Sequence, residues 1–221
     1  NETHYPPNLG LQSLRRAVSD FERRVNHLAY VWEEVVITSG ATEALAAALM
    51  SVLCEGDEVI IPSPMYVSYG PMVSVCKAKL VPLDTTATDF QIDPLALDRL
   101  VTNKTKLILI TSPNNPTGTI LNKRSIDAVI ATAKKYDLFI ISDDVYNQLV
   151  FTPDFPRLCD EESIRDRLII TQSLSKPYAM TGWRVGYVLA DLPIAKAIGL
   201  MHAYLVAGIT TFNQIAAIEA L

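Results

Sequence analysis

The sequence predicts an α/β fold, a three-layer α/β/α sandwich built on a largely parallel central sheet. Three observations lead there. Continuous apolar runs such as Leu107-Ile108-Leu109-Ile110 and Leu168-Ile169-Ile170 lack polar alternation, the mark of strands covered on both faces. Segments with apolar residues at helical spacing separate these runs. No Gly- or Ser-rich linker, internal repeat or low-complexity stretch interrupts the alternation, so residues 1–221 read as one α/β domain.

Leu11 to Leu28 has apolar positions at helical spacing with Arg and Glu between them, which predicts a helix. Val35 to Thr38 reads as a short buried strand. Ser39-Gly40 is a turn, and the Ala/Leu-rich stretch Thr42 to Leu53 is a helix ending at Glu55-Gly56-Asp57. Glu58 to Ile61 is a strand that Pro62 and Pro64 should stop. Tyr66 to Cys76 follows as helix, Lys79 to Leu83 as strand and Pro94 to Leu100 as a short helix. After Leu107 to Ile110, Asn122 can cap a helix running to Tyr136. Leu138 to Ile141, Leu168 to Ile170 and Val185 to Leu189 complete the strands. The longest uncharged run, Ala197 to Asn213, falls short of the ~20 apolar residues of a membrane span and reads as a buried helix.

The chain is 49% hydrophobic and 19% charged, a globular composition, and its 221 residues suffice for one large domain or two small ones. A net charge of −5 and an isoelectric point near 5.2 argue against a nucleic-acid surface, which needs clustered Lys and Arg. Cys54, Cys76 and Cys159 form no CxxC pair and are odd in number, which favours a reducing, cytoplasmic setting. His4, His27 and His202 are scattered, with no metal-site spacing. With no start Met and no signal sequence, the chain reads as an excised piece.

In sheets of this kind ligands bind at the carboxyl ends of the strands. Four polar clusters fall there: Ser39 to Thr42, Ser112 to Gly118, Asp143 to Tyr146 and Ser173 to Lys176. A strand, a Gly turn and a helix start present unbonded N–H groups and a positive dipole end, so Ser39-Gly40-Ala41-Thr42 suits an anion. Both the dinucleotide GxGxxG and the P-loop patterns are absent. Ser173 lies three residues before Lys176 and Arg184 eight after it, two further phosphate donors near one amine. An amine beside a bound phosphate and a neighbouring cation suits Schiff-base chemistry. A Schiff base to pyridoxal needs a carboxylate at the pyridine nitrogen, and Asp143 ends a buried strand. Tyr146 and Asn115 can reach the ring hydroxyl, and Tyr66 offers an aromatic face. Taken alone, Asp143 reads better as a cap, Asn115 as a turn residue before Pro116 and Tyr66 as a half-buried packing residue. Together, in this order at strand ends, they read as a site.

This ordered set resembles the fold-type I aminotransferases that use pyridoxal phosphate, especially the aspartate and aromatic branch. The resemblance rests on Tyr5-Pro6-Pro7-Asn8-Leu9-Gly10, Ser39 to Ala44, Pro64 to Tyr69, Ser112-Pro113-Asn114-Asn115-Pro116-Thr117-Gly118, Asp143 to Tyr146, and Ser173 to Lys176 through Gly182-Trp183-Arg184-Val185-Gly186. It implies that Lys176 forms the Schiff base with the cofactor and shuttles the proton. Asp143 would pair with the pyridine nitrogen, Asn115 and Tyr146 would bind the ring oxygen, and Tyr66 would stack on the ring. Ala41, Thr42, Ser173 and Arg184 would hold the phosphate, with Ser175 a further candidate. Tyr5 would reach the phosphate of a second subunit, which implies a homodimer. The N-terminal arm and the C-terminal small domain of the family lie outside this chain. Asp144 stands where many relatives have Glu.

Transamination between an α-amino acid and a 2-oxo acid is thus the leading expectation. A lyase or decarboxylase on the same scaffold is the first alternative, and the effector domain of a transcription regulator the second. A nicotinamide-binding domain is disfavoured by the missing glycine fingerprint.

Overall fold

The apolar runs become strands and the amphipathic segments between them become helices. The computed structural model describes residues 3–152 and 154–221, and the chain divides into two compact units, Asn1–Ser51 with Ile169–Leu221, and Val52–Leu168.

The second unit is a parallel sheet with helical crossovers. Its strands are β2 (Glu58–Ser63), β3 (Lys79–Asp84), β4 (Thr105–Thr111) and β5 (Phe139–Asp143), in the order β5-β4-β2-β3. All three pairings are parallel. Helices α3 (Tyr69–Val75), α4 (Pro94–Leu100) and α5 (Lys123–Tyr136) connect them. The uninterrupted burial of Leu107 to Ile110 follows from cover on both faces. Local signals set the helix limits. Asn122 accepts the Ser125 N–H at 2.9 Å to start α5, which stops at Asp137 in a left-handed conformation. Asp93 accepts the Ala96 N–H at 2.8 Å and Pro94 opens α4.

Two expectations fail here. Strand β2 runs through Pro62 rather than stopping before it. Its pairing with β4 ends at Ile60, so the missing proline N–H breaks no bond on that side. Helix α3 begins at Tyr69 rather than Tyr66, with Pro71 in its first turn, where a missing N–H is tolerated.

In the first unit, β7 (Gly186–Ala190) pairs antiparallel with both β1 (Val35–Thr38) and β6 (Leu168–Ser173). The helices are α1 (Gln12–Phe21), α2 (Gly40–Val52), α6 (Leu192–Val206) and α7 (Thr211–Ala220). Leu14, Val18 and Phe21 form the buried stripe of α1. The helix then widens into a π-helical turn, Glu22–Asn26, and ends at left-handed His27. That turn carries the Glu22 carboxylate inward, where it accepts from the Tyr187 hydroxyl at 2.5 Å and from Asn26 Nδ2 at 2.7 Å.

The single buried helix expected over Ala197 to Asn213 is two helices instead. Ala207 and Gly208 turn to positive φ between α6 and α7. Much of the run is exposed, with Tyr204 78% and Phe212 61% accessible. An uncharged run hides both its break and its outer face.

The α/β class expected from the sequence is the one adopted: seven strands among the described residues, more parallel than antiparallel pairings, and helices between strands. No helix among the described residues is long and apolar enough to cross a membrane.

Candidate active site

The predicted residues fall into one cluster in each unit. In the first unit, β1 ends at Thr38 and the turn Ser39-Gly40 leads straight into α2. The N–H groups of this first turn have no helical carbonyl to bond. Gly40 has φ +75, and a Cβ there would collide with the Arg184 guanidinium, 2.9 Å from its Cζ. Arg184 itself holds a left-handed backbone with φ 55 and ψ 49, a costly conformation for a residue with a side chain. Its Nη2 donates to the Ser39 carbonyl at 3.2 Å and its Nη1 to that of Thr181 at 2.8 Å. The guanidinium is thereby laid over Gly40 at the head of α2.

Gly186 makes this approach possible. A Cβ on it would sit 2.6 Å from the Gly40 carbonyl carbon, 2.7 Å from the Gln172 oxygen and 2.8 Å from the Ala41 nitrogen. Three backbone segments meet there, the start of β7, the end of β6 and the start of α2. Ser173 ends β6 buried, its hydroxyl 2.7 Å from that of Ser175 and accepting the Ser175 N–H at 2.9 Å. Lys176 follows on an exposed turn whose backbone is closed by Tyr178 N–H to the Leu174 carbonyl at 3.2 Å. Tyr5 is 90% exposed.

In the second unit, Asp143 ends β5 and is buried. Its Oδ2 accepts the Tyr69 hydroxyl at 2.7 Å, and its carbonyl accepts Thr111 Oγ1 at 2.8 Å. Asp144, equally buried, accepts from Ser142 Oγ at 2.5 Å instead. Burial, and then the Asp143 charge, push the Tyr69 phenol far above its usual range, so it stays a donor. The Tyr66 ring meets Tyr69 edge-on, centroids 5.5 Å apart at 84°. Asn115 Nδ2 donates to the Tyr146 hydroxyl at 3.3 Å. That pair opens on a depression of about 460 Å³, walled also by Pro113, Ile120, Leu149 and Phe151. The Ser112-Pro113 and Asn115-Pro116 peptides are cis. Among the described residues no group of three or more His, Cys, Asp or Glu could hold a metal ion.

The sequence named Ala41, Thr42, Ser173, Ser175, Lys176 and Arg184, which lie in the first unit at the start of α2 and between the end of β6 and the start of β7, and Tyr66, Asn115, Asp143 and Tyr146, which lie in the second. It missed Tyr69, although that residue closes the same Pro64 to Tyr69 segment. The inward partner of a buried acid has no local signature. Glu43 and His202 were missed too. A carboxylate four residues after Ser39, whose N–H its Oε2 accepts at 3.0 Å, was the one available hint.

Comparison with known proteins follows the same outline. The family model described as aminotransferase class I and II matches residues 1–221. A probable N-acetyl-LL-diaminopimelate aminotransferase of Bacillus subtilis is 37% identical over 222 residues, covering 100% of this chain and 56% of the relative. An aspartate aminotransferase of Pyrococcus horikoshii is also 37% identical, covering 99% and 56%. The solved structure of aspartate aminotransferase from Thermus thermophilus with maleate superposes with a TM-score of 0.94 at 32% identity, covering 99% of this chain and 57% of that one. The chain thus spans little more than half the length of the curated relatives it matches. Matched from its first residue to its last, and sharing a fold with solved members, the chain belongs to the class I and II aminotransferases.

Proposed function

We propose that residues 1–221 are the cofactor-binding large domain of a pyridoxal-phosphate-dependent aminotransferase, which moves an amino group from an α-amino acid to a 2-oxo acid. The observation that carries this reading is the anion cradle at the head of α2. There a strained Arg184 lays its guanidinium over Gly40 beside N–H groups that no helical carbonyl accepts. Each unit holds a group the cofactor would need, an anion cradle in the first and a buried carboxylate suited to a ring nitrogen in the second.

When bound, pyridoxal phosphate supplies an aldehyde that condenses with primary amines and a ring that stores the electron pair left at the substrate carbon. Lys176 would hold the cofactor through its Nζ, and the same atom would carry the proton. Asp143, buried at the end of β5, would pair with the ring nitrogen and keep its proton in place. Tyr69 fixes the Asp143 side chain by donating to Oδ2. Asn115 and Tyr146 would bind the ring oxygen as a pair, and Tyr66 would cover one ring face. Ala41, Thr42, Ser173, Ser175 and Arg184 would take the phosphate. Tyr5 serves the phosphate of a second copy in a homodimer, a reading supported by its exposure. Three cysteines that form no CxxC pair fit a cytoplasmic enzyme.

Lys176→Ala tests the reading in the intact protein. Visible absorbance and the borohydride-fixed lysine adduct should vanish, amino transfer should stop and circular dichroism should be unchanged. A variant still fixing the cofactor to lysine at full yield excludes Lys176 from this role.

A further inference from the structure

Two side chains outside the predicted set meet at the head of α2. Glu43 lies in the first turn of α2 and His202 on α6, 159 residues apart in sequence. The imidazole is fully buried, and its Nδ1 lies 3.0 Å from both Oε1 and Oε2 of Glu43. Its Nε2 is buried with no hydrogen-bond partner among the described residues. Orphaned buried N–H groups are rarer than under-used acceptors. Nδ1 is therefore the nitrogen that donates to Glu43, and Nε2 is left with a lone pair. In that tautomer His202 is a donor aimed at Glu43 alone.

Glu43 passes the hold onward. Its Oε2 accepts the Ser39 N–H at 3.0 Å, while the Ser39 carbonyl accepts from Arg184 at 3.2 Å. Ser39 is thus gripped on both of its backbone polar groups, just before a glycine at φ +75. Glycine has the most conformational freedom to lose, so this turn needs external restraint if its N–H groups are to converge on one anion. A carboxylate in the first turn of an anion-binding helix also repels the ligand. Its presence is explained if both its oxygens are committed to donors that fix the turn.

We propose that His202 and Glu43 are positioning residues for the α2 cradle. His202 clamps Glu43, Glu43 holds the Ser39 N–H, and the turn meets a phosphate group already aligned. The inference rests on the phosphate-binding reading given above, and it assigns the pair no contact with the ligand.

The test compares affinity for pyridoxal phosphate with affinity for pyridoxal, which lacks the phosphate, in the intact protein. His202→Leu and Glu43→Gln should each weaken pyridoxal phosphate about tenfold, the loss of one hydrogen bond to a charged group, and leave pyridoxal unchanged. His202→Asn, whose side-chain amide can donate from near the Nδ1 position, should restore most of the preference. Nitrogen NMR of the unaltered protein should show His202 carrying its proton on Nδ1. An unchanged preference for the phosphate-bearing ligand in Glu43→Gln overturns the proposal, whether or not His202→Leu folds. So does an equal loss for both ligands. Arg184→Ala separates the two readings. If it too leaves the preference intact, the cradle binds no phosphate, and if it alone destroys the preference, only the positioning role falls.

Discussion

Asp143 and Asp144 are adjacent, equally buried and differently partnered. One accepts the Tyr69 phenol and the other the Ser142 hydroxyl. Successive residues at a strand end point to opposite faces, so one carboxylate can serve a ring nitrogen and its neighbour cannot. Asp143→Ala should lower turnover roughly a hundredfold or more, because an unprotonated ring stores carbanion charge poorly. Asp144→Ala should cost far less. Steady-state rates of the two variants, each checked for folding, decide the matter, and equal losses undo the assignment. The sequence supplied Asp143 through its place at the end of an apolar run. It could not supply Tyr69, 74 residues away, or His202, 159 from Glu43. The residues predicted for the site stand in contiguous motifs, whereas Tyr69 and His202 lie far along the chain from the carboxylates they hold.

At the scale of elements, the first unit depends on one missing methyl group. Any side chain on Gly186 meets backbone atoms of α2 and β6, which cannot swing aside as a flexible side chain could. Gly186→Ala should therefore cost about 1–3 kcal/mol through overpacking and weaken phosphate binding by prising α2 from β7. Gly182→Ala, where a Cβ would meet nothing within 4 Å, should be tolerated. Thermal melts with and without cofactor separate these outcomes, and equal melting temperatures for the two variants refute the packing argument. The same scale shows what was legible. Helices α4 and α5 match their expected limits because Asp93, Pro94 and Asn122 are local signals. Strand β2 outran its prolines because pairing geometry, invisible in sequence, had already released that side of the strand. The α6–α7 break was missed because an uncharged stretch carries no period to read.

At the scale of the whole molecule, Tyr5 lies 90% exposed ahead of the first helix, far along the chain from the other site residues. If it donates to a phosphate held by a second copy, Tyr5→Phe should weaken the cofactor about ten- to a hundredfold, the worth of one hydrogen bond to a charged group. Equilibrium binding and sedimentation check both halves of this expectation: affinity falls, and the dimer persists. Unchanged affinity excludes the contact. The division of the chain into units has a further consequence, for the order of events during synthesis. Val52–Leu168 is continuous and leaves the ribosome with all four of its parallel strands present. The other unit is interrupted by it, and β1 has its partner only when β7 is made, since Val35 pairs with Leu189. Domains tend to fold as they emerge, and unpaired apolar strands are the hazard of the interval. For most of the time these residues are being translated, Val35-Val36-Ile37 is a sticky segment without its neighbour, the stretch on which a chaperone would have most to do.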